Sequence, residues 1–168
     1  MPDAQVAYDP TLNFNDQKPM HSLGAIYRHA SGKIFRYVKF DNGQGNVASA
    51  AGRAAYWKDY ATAVVTSDKT DSQAGAGIPS GCAGAFQGVV TDGYYTWLQV
   101  GGPMTLRLSG TGAVGNKIHA PAADTDLTFT TVADASAAAG AIPAPRIATQ
   151  MVAGDGNADA LCELLLVA

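Results

Sequence analysis

The strongest chemical motif in the sequence is a glycine pattern, GxGxxG, at residues 110–115. In a dinucleotide-binding domain, this loop precedes a helix whose N-terminus holds the pyrophosphate, and an acidic residue follows about 20 positions later. Here residues 116–121 form a short β-type run that a proline ends. The spacing of a phosphate-binding Walker loop is also missing, because Asn116 separates Gly115 from Lys117. The pattern indicates a glycine-rich hairpin loop, and we expect no cofactor there.

Other polar groupings also lack part of a functional pattern. Asp155, Asn157 and Asp159 resemble the start of a calcium loop, but its twelfth position is Leu166 instead of glutamate. The three histidines share no metal-binding spacing, and no serine lies in a GxSxG motif. A catalytic triad assembled in space from distant residues is an alternative that spacing does not test. We predict a protein that is not an enzyme and that binds no metal or cofactor.

The charge content is low for a soluble domain. Charged residues make up 15% of the 168 residues, against about 25% in an average domain. Between Ser72 and Leu106 the only charged side chain is Asp92. Such a surface suits burial against neighbouring subunits, although a neutral monomer surface is the alternative. The net charge of −3 and the scattered basic residues argue against a nucleic-acid partner.

Membrane and export signals are also missing from the sequence. No stretch approaches the roughly 20 apolar residues of a transmembrane helix, so we expect no membrane partner. The N-terminal residues have neither the basic nor the apolar region of a signal peptide. We therefore expect synthesis in a reducing cytoplasm, with Cys82 and Cys162 as free thiols.

Short β-type runs separated by turn residues dominate the chain. Glu163 is the only glutamate, which argues against surface helices. The clearest element is a hairpin formed by residues 25–28 and 33–40. The predicted fold is all-β: one domain, residues 23–168, built as an antiparallel β-barrel or sandwich of short strands. The other strand candidates are residues 61–66, 85–91, 94–100, 105–109, 117–120, 127–132, 147–152 and 161–167.

Residues 1–22 are predicted to form an extended N-terminal arm. Three prolines lie among polar residues, and the apolar residues follow neither the helical nor the strand period. Segments of this kind usually become ordered on a partner; the alternative is a flexible terminus or one folded back on its own domain. The residues predicted to make the contact are Val6, Tyr8, Leu12, Phe14 and Met20.

An aromatic cluster at residues 94–97 is the second candidate contact. On a strand, Tyr95 and Trp97 share one face and Tyr94 lies on the other. Because both faces look apolar, we predict that Tyr94, Tyr95 and Trp97 contact the core and neighbouring subunits. The alternative is a sugar-stacking platform, which would make the protein a glycan- or receptor-binding module of a phage fibre or surface protein.

Three segments share a wider pattern: GKIFRYVKF at residues 32–40, AVVTSD at residues 63–68, and a third segment at residues 84–118 that contains GVVTDGYYTWLQVGG. This pattern resembles the capsid decoration (cement) proteins of tailed bacteriophages, over residues 24–120. The resemblance implies a small β-rich structural protein, often a homotrimer, which is made in the host bacterial cytoplasm and bound to the virion. Its expected partner is the major capsid protein on the capsid exterior, where it would stabilise capsomer junctions.

Overall fold

The structure, a computed structural model, describes residues 15–72, 81–109, 113–114, 117–119, 129–132, 148–150 and 159–165. Within these ranges it contains ten strands and one short 3-10 turn, Lys69–Asp71, so the all-β prediction is confirmed. The strands are β1 (Ile26–Arg28), β2 (Ile34–Phe40), β3 (Ala54–Asp59), β4 (Val64–Thr66), β5 (Cys82–Ala85), β6 (Tyr95–Ser109), β7 (Lys117–His119), β8 (Phe129–Val132), β9 (Ala148–Gln150) and β10 (Asp159–Leu165).

Five strands close a barrel. β2 pairs with β6 on one edge and with β4 on the other, β3 joins β4 to β5, and β5 returns to β6. The β2–β4 pairing is parallel and the others are antiparallel, so the barrel is mixed where the sequence predicted an antiparallel one. β1 adds to the edge of β2 as the predicted hairpin.

The remaining strands repeat the pairing order of this barrel. β6 pairs in parallel with β8, β8 with β7, β7 with β9, β9 with β10, and β10 with β6. If the five strands of each ring are numbered in chain order, both rings have the spatial order 1-3-2-4-5, and the fifth strand pairs back with the first. β6 is therefore the last strand of one ring and the first of the next.

The three residues Gly101, Gly102 and Pro103, which have the composition of a turn, lie inside β6. The positive φ of Gly102, 81°, fits glycine, and a side chain there would meet the carbonyl oxygen of Gly32 at 2.5 Å. The buried amide of Gln99 donates to the carbonyl oxygens of all three residues, at 3.0 to 3.3 Å. These bonds satisfy the backbone where a turn would otherwise end the strand. The predicted strands 94–100 and 105–109 are therefore one strand.

Two other assignments from the sequence were wrong. Residues 85–91 were expected to form a strand, but β5 ends at Ala85. β3 was not predicted, because it lacks alternation of polar and apolar residues. Ala54 and Tyr56 pack in one apolar cluster, while Ala55 and Trp57 pack in another, so both faces of β3 are buried.

Three apolar clusters stabilise the fold. The barrel interior is built around Val38, Phe40, Val65, Phe86 and Leu98, among other buried residues. A second cluster contains both cysteines, and it joins the opposite face of β3 to strands of the second ring. The third cluster lies on the other face of β2 and β6, and its buried members are Phe35, Tyr37 and Trp97.

A carboxylate network holds the loop that follows β2. Asp68 accepts hydrogen bonds from the hydroxyl of Thr70 at 2.6 Å and from the backbone N–H of Gly45 at 2.8 Å. The hydroxyl of Thr70 is the main reason that the pKa of Asp68 lies below its ordinary value. Asp71 accepts from the backbone N–H of Gln44, at 2.8 Å. These side chains support the loop instead of converging on an open site.

Candidate interaction surface

The first candidate surface is an aromatic face that residues 15–25 cover. Alternate residues of a strand point to opposite sides, so Phe35 and Tyr37 of β2 lie outside the barrel while Val38 and Phe40 lie inside. Trp97 of the neighbouring strand β6 completes the face. This arrangement gives the N-terminal part of the domain an apolar surface on which to pack.

The hydroxyl of Tyr37 makes two of the bonds that hold this segment. The hydroxyl of Tyr37 donates to Asp16 at 2.8 Å and accepts from the backbone N–H of Met20 at 3.1 Å. Asp16 also exchanges two backbone hydrogen bonds of 2.8 Å with Tyr95. The ring of His21 packs edge-on against Trp97 at 5.1 Å. Side-chain and backbone contacts together hold residues 16–21 on the sheet.

The segment has a second attachment at Asn15. Its side-chain oxygen accepts from the backbone N–H of Thr91 at 2.9 Å, and its side-chain nitrogen donates to the hydroxyl of Thr91 at 3.2 Å. Residues 15–22 of the predicted arm therefore contact the protein's own domain. Among the predicted arm contacts, Met20 is 67% exposed. Val6, Tyr8, Leu12 and Phe14 lie outside the described residues.

The aromatic residues predicted to contact other subunits are partly used within the protomer. Trp97 is 2% exposed, and the rings of His21, Tyr27 and Tyr37 surround it. A sugar or a subunit could stack on Trp97 only after the covering segment had moved. Tyr95 is half-buried and stacks on Tyr37, with ring centroids 6.2 Å apart. Tyr94 is half-buried against the barrel's apolar cluster.

The second candidate surface is a groove of about 530 Å³ beside the turn between β3 and β4. Residues 23–24 form one wall and residues 60–63 form another. Arg36 and Trp57 also line it, and the guanidinium carbon of Arg36 lies 5.5 Å from the centroid of the Trp57 ring. Tyr60 packs edge-on against the same indole at 5.0 Å. The groove thus combines a cation with two aromatic rings.

Arg36 is the residue of this groove that can offer a charged hydrogen-bond donor to a ligand. Its Nε is buried and has no hydrogen-bond partner among the described residues. A guanidinium group binds a carboxylate or phosphate through two parallel hydrogen bonds. The sequence reading missed this residue, although its place in IFRYVKF gave a signal. Arg36 shares the strand face of Val38 and Phe40, where an apolar side chain would be expected.

No family model matches the chain, and no curated protein is significantly similar to it. Within the described ranges, no group of three or more His, Cys, Asp or Glu residues could hold a metal ion. The same ranges contain no helix long and apolar enough to cross a membrane. Two surfaces are on the described residues: the aromatic face of Phe35, Tyr37 and Trp97, and the arginine groove, which is the groove lined by Arg36, Trp57 and Tyr60.

Proposed function

We propose that this protein is a structural decoration protein of a tailed bacteriophage. It binds the outside of the assembled capsid as a homotrimer, contacts the major capsid protein and stabilises the junctions between capsomers. The observation that carries the proposal is the anchoring of residues 15–25 on β2 and β6. These two strands lie within the segments that resemble decoration proteins, and their aromatic residues hold residues 15–22, the C-terminal part of the predicted arm.

An anchored arm suits this role for a physical reason. Residues 1–14 lead into Asn15, which is fixed to the domain through Thr91. When the domain binds the shell, the arm is held near it at a high effective concentration. Each apolar side chain that the arm buries contributes about 1.5–3 kcal/mol, less the cost of ordering the chain. Its prolines reduce that cost because they limit the free conformations.

The proposed effect on the capsid is an equilibrium shift. A protein that binds the assembled lattice, and not its separate subunits, stabilises the lattice by mass action. Repetition over many sites multiplies a modest free energy per site. The described carboxylates of Asp41, Asp68 and Asp71 serve the protein's own loops, which fits a scaffold better than a catalyst.

The low charge between Ser72 and Leu106 now has a partial explanation within the protomer. Residues 81–86 and 96–102 are buried in it, so apolar residues there need no second subunit. The homotrimer therefore rests on the resemblance. Analytical ultracentrifugation at micromolar concentration tests it, and a monomer would contradict it.

Co-sedimentation with purified shells tests the function. The full-length protein should pellet with expanded capsids and not with procapsids, and it should be accessible to antibody on intact virions. Failure to pellet with either shell would refute the proposed function.

The arm is tested separately with a chain that begins at Asn15, because residues 15–22 belong structurally to the domain. This chain should keep the melting temperature of the full-length protein and lose most of its capsid affinity. Replacing Leu12 and Phe14 with alanine should weaken binding, whereas the matched change of Thr11 and Asn13 should not. Undiminished binding by the shortened chain would show that the domain makes the contact alone.

A further inference from the structure

We propose that the arginine groove and the adjoining edge of β1 form a docking site for an extended, acidic segment of the capsid shell protein. The identity of the partner rests on the function proposed above, whereas the chemistry of the site does not. The site would be a second contact with the shell, separate from the arm.

Arg36 has a buried donor that an anionic partner can satisfy. Its guanidinium group lies over Trp57, and its Nε is buried without a partner among the described residues. A buried N–H donor without a partner is costly, and the cost is greater when the group is charged. A carboxylate that enters the groove supplies the missing acceptor and the opposite charge. The Trp57 ring, whose centroid lies 5.5 Å from the guanidinium carbon, limits the positions that the group can take.

The face beside the groove is basic. Arg36 faces Ile26 across the β1–β2 pairing, and Arg28 faces Ile34, so all four side chains share one face of this hairpin. Arg28 and Ile26 are exposed, and Arg28 has no ion pair among the described residues. The acid closest in sequence to the groove wall, Asp59, accepts hydrogen bonds from Thr62 and Ala61. In the part of the chain that the structure describes, no ion pair engages Arg28 or Arg36, so the face presents cations beside apolar groups.

The open edge of β1 favours an extended partner. β1 pairs with β2, and no other strand of the described residues pairs with it. The hydrogen bonds of this hairpin include Tyr37 N–H to Ala25 and His29 N–H to Lys33. Because bonded pairs alternate in an antiparallel ladder, the N–H and C=O groups of Ile26 and Arg28 point to the open edge. A strand of the partner can bond to them.

The partner is assigned to the shell and not to this chain's own arm. Residues 1–14 contain two acids and no basic residue, so the arm of a second copy is the main competitor for the site. The same chain's arm starts from Asn15 beside Thr91 and Tyr95, on the opposite face of β2 from the groove. Capsid co-sedimentation and self-association in the ultracentrifuge distinguish the shell protein from a second copy.

The experiment uses full-length variants in co-sedimentation titrations with expanded capsids. Arg36→Gln removes a half-buried charge whose buried Nε would be hydrogen-bonded in the complex, and it should weaken binding about 30-fold or more. Arg36→Lys keeps the charge without the two-bond geometry, so its capsid affinity should lie between those of Arg36→Gln and the wild type. Arg28→Gln, at an exposed site, should weaken binding about two- to fivefold. The matched control Lys18→Gln, also at an exposed cation, should change binding less than twofold.

Two further variants test the strand edge. Ile26→Pro removes an outward N–H while the bonds between β1 and β2 remain, and it should weaken binding more than Ile26→Ala, which removes only the side chain. Melting temperatures of all variants identify any that fail to fold. Arg28→Gln and Lys18→Gln change exposed side chains only, so their comparison holds even if Arg36→Gln is unstable.

Each outcome decides the proposal. If the wild type binds capsids and the Arg36 and Arg28 variants bind equally well, the docking site is refuted while the proposed function stands. If these variants change self-association in the ultracentrifuge and leave capsid binding unchanged, the occupant is a second copy and the shell assignment is wrong.

If the wild type does not bind capsids, a defined probe tests the site by itself. An acetylated peptide of alternating Glu and Val is titrated into ¹⁵N-labelled protein, with a Lys-Val peptide as control. A shift of the Arg36 Nε–H signal with the acidic peptide alone would support the acidic site although the proposed function had failed. No shift with either peptide would refute the acidic docking site as well as the proposed function.

Discussion

The hydroxyl of Tyr37 should control how firmly residues 15–22 are held, and Tyr37→Phe tests this directly. The change removes one oxygen from a buried ring and leaves the ring's apolar contacts in place. Among the described residues, it removes the bond donated to Asp16 at 2.8 Å and the bond accepted from the N–H of Met20 at 3.1 Å. The perturbation is therefore confined to the fastening of the segment.

The structure sets the expected magnitude. A hydrogen bond to a charged group contributes about 1.5–3 kcal/mol, which describes the bond to the Asp16 carboxylate. The N–H of Met20 lies at an exposed residue, so water can replace its lost acceptor at little cost. We expect the free energy of local opening of residues 15–22 to fall by about 1.5–3 kcal/mol. That is about a 10- to 140-fold increase in amide exchange, since about 1.4 kcal/mol corresponds to a factor of ten.

Native-state hydrogen exchange, read by mass spectrometry on peptides that cover residues 15–25, measures this effect. Tyr27→Phe is the matched control, because its ring packs on the same cluster and its hydroxyl has no hydrogen bond among the described residues. The control should change exchange by less than about 0.5 kcal/mol in free energy, as for most surface substitutions. Equal exchange in Tyr37→Phe and the wild type would refute the fastening role of the hydroxyl.

Three further predictions concern other parts of the protein. Burial raises the pKa of both Cys82 and Cys162 to about 12, so neither thiol should react with iodoacetamide at pH 8 while the protein is folded. After unfolding, the intact mass should show two adducts, and an adduct on the native protein would contradict the prediction. Gly102→Ala should destabilise the fold by several kcal/mol, since its Cβ would lie 2.5 Å from the Gly32 carbonyl oxygen, whereas Gly93→Ala has the same strained φ and open space and should cost about 1 kcal/mol in urea unfolding. The folded-state pKa of Asp68 lies below the ordinary 3.8, so the stability that its carboxylate contributes is present above that pH and is lost as pH falls through the folded pKa. Asp68→Asn should therefore lower the free energy of unfolding at pH 7 and flatten its dependence on pH below about pH 4. An unchanged acid profile would contradict the assignment.

The sequence predicted elements well where one face of a strand is buried and turn residues lie in the loops. The β1–β2 hairpin follows this rule, with a turn at Gly32, which has a positive φ. β3 breaks the rule because both of its faces are buried in different clusters. Gly101 to Pro103 are the opposite exception, because this turn-like stretch stays within a strand. The side chain of Gln99, close in sequence, donates hydrogen bonds to its carbonyl oxygens. Local composition does not encode such a compensating bond.

The candidate surfaces were less predictable than the fold. The aromatic residues 94–97 were identified as a contact surface, but burial of Trp97 depends on residues 15–27, which are distant in sequence. The groove requires Arg36, Trp57 and Tyr60, which three separate segments supply through the closure of the barrel. Neither motif nor periodicity connects them. A cation on the apolar face of β2 was the only local signal.

The shared strand β6 connects the proposed arm to the rest of the protein. Asp16 bonds to the backbone of Tyr95, at the first residue of β6. Along its length, β6 then pairs with β2 of the first barrel and with β10 of the second ring. A pull on the arm is therefore passed to Thr91 in the loop before β6 and to β6 itself, a strand that both rings hold by antiparallel hydrogen bonds. If the arm grips a pressurised shell, as proposed, its attachment to β6 lets both rings resist that load together, because neither ring can release β6 without breaking its own closure.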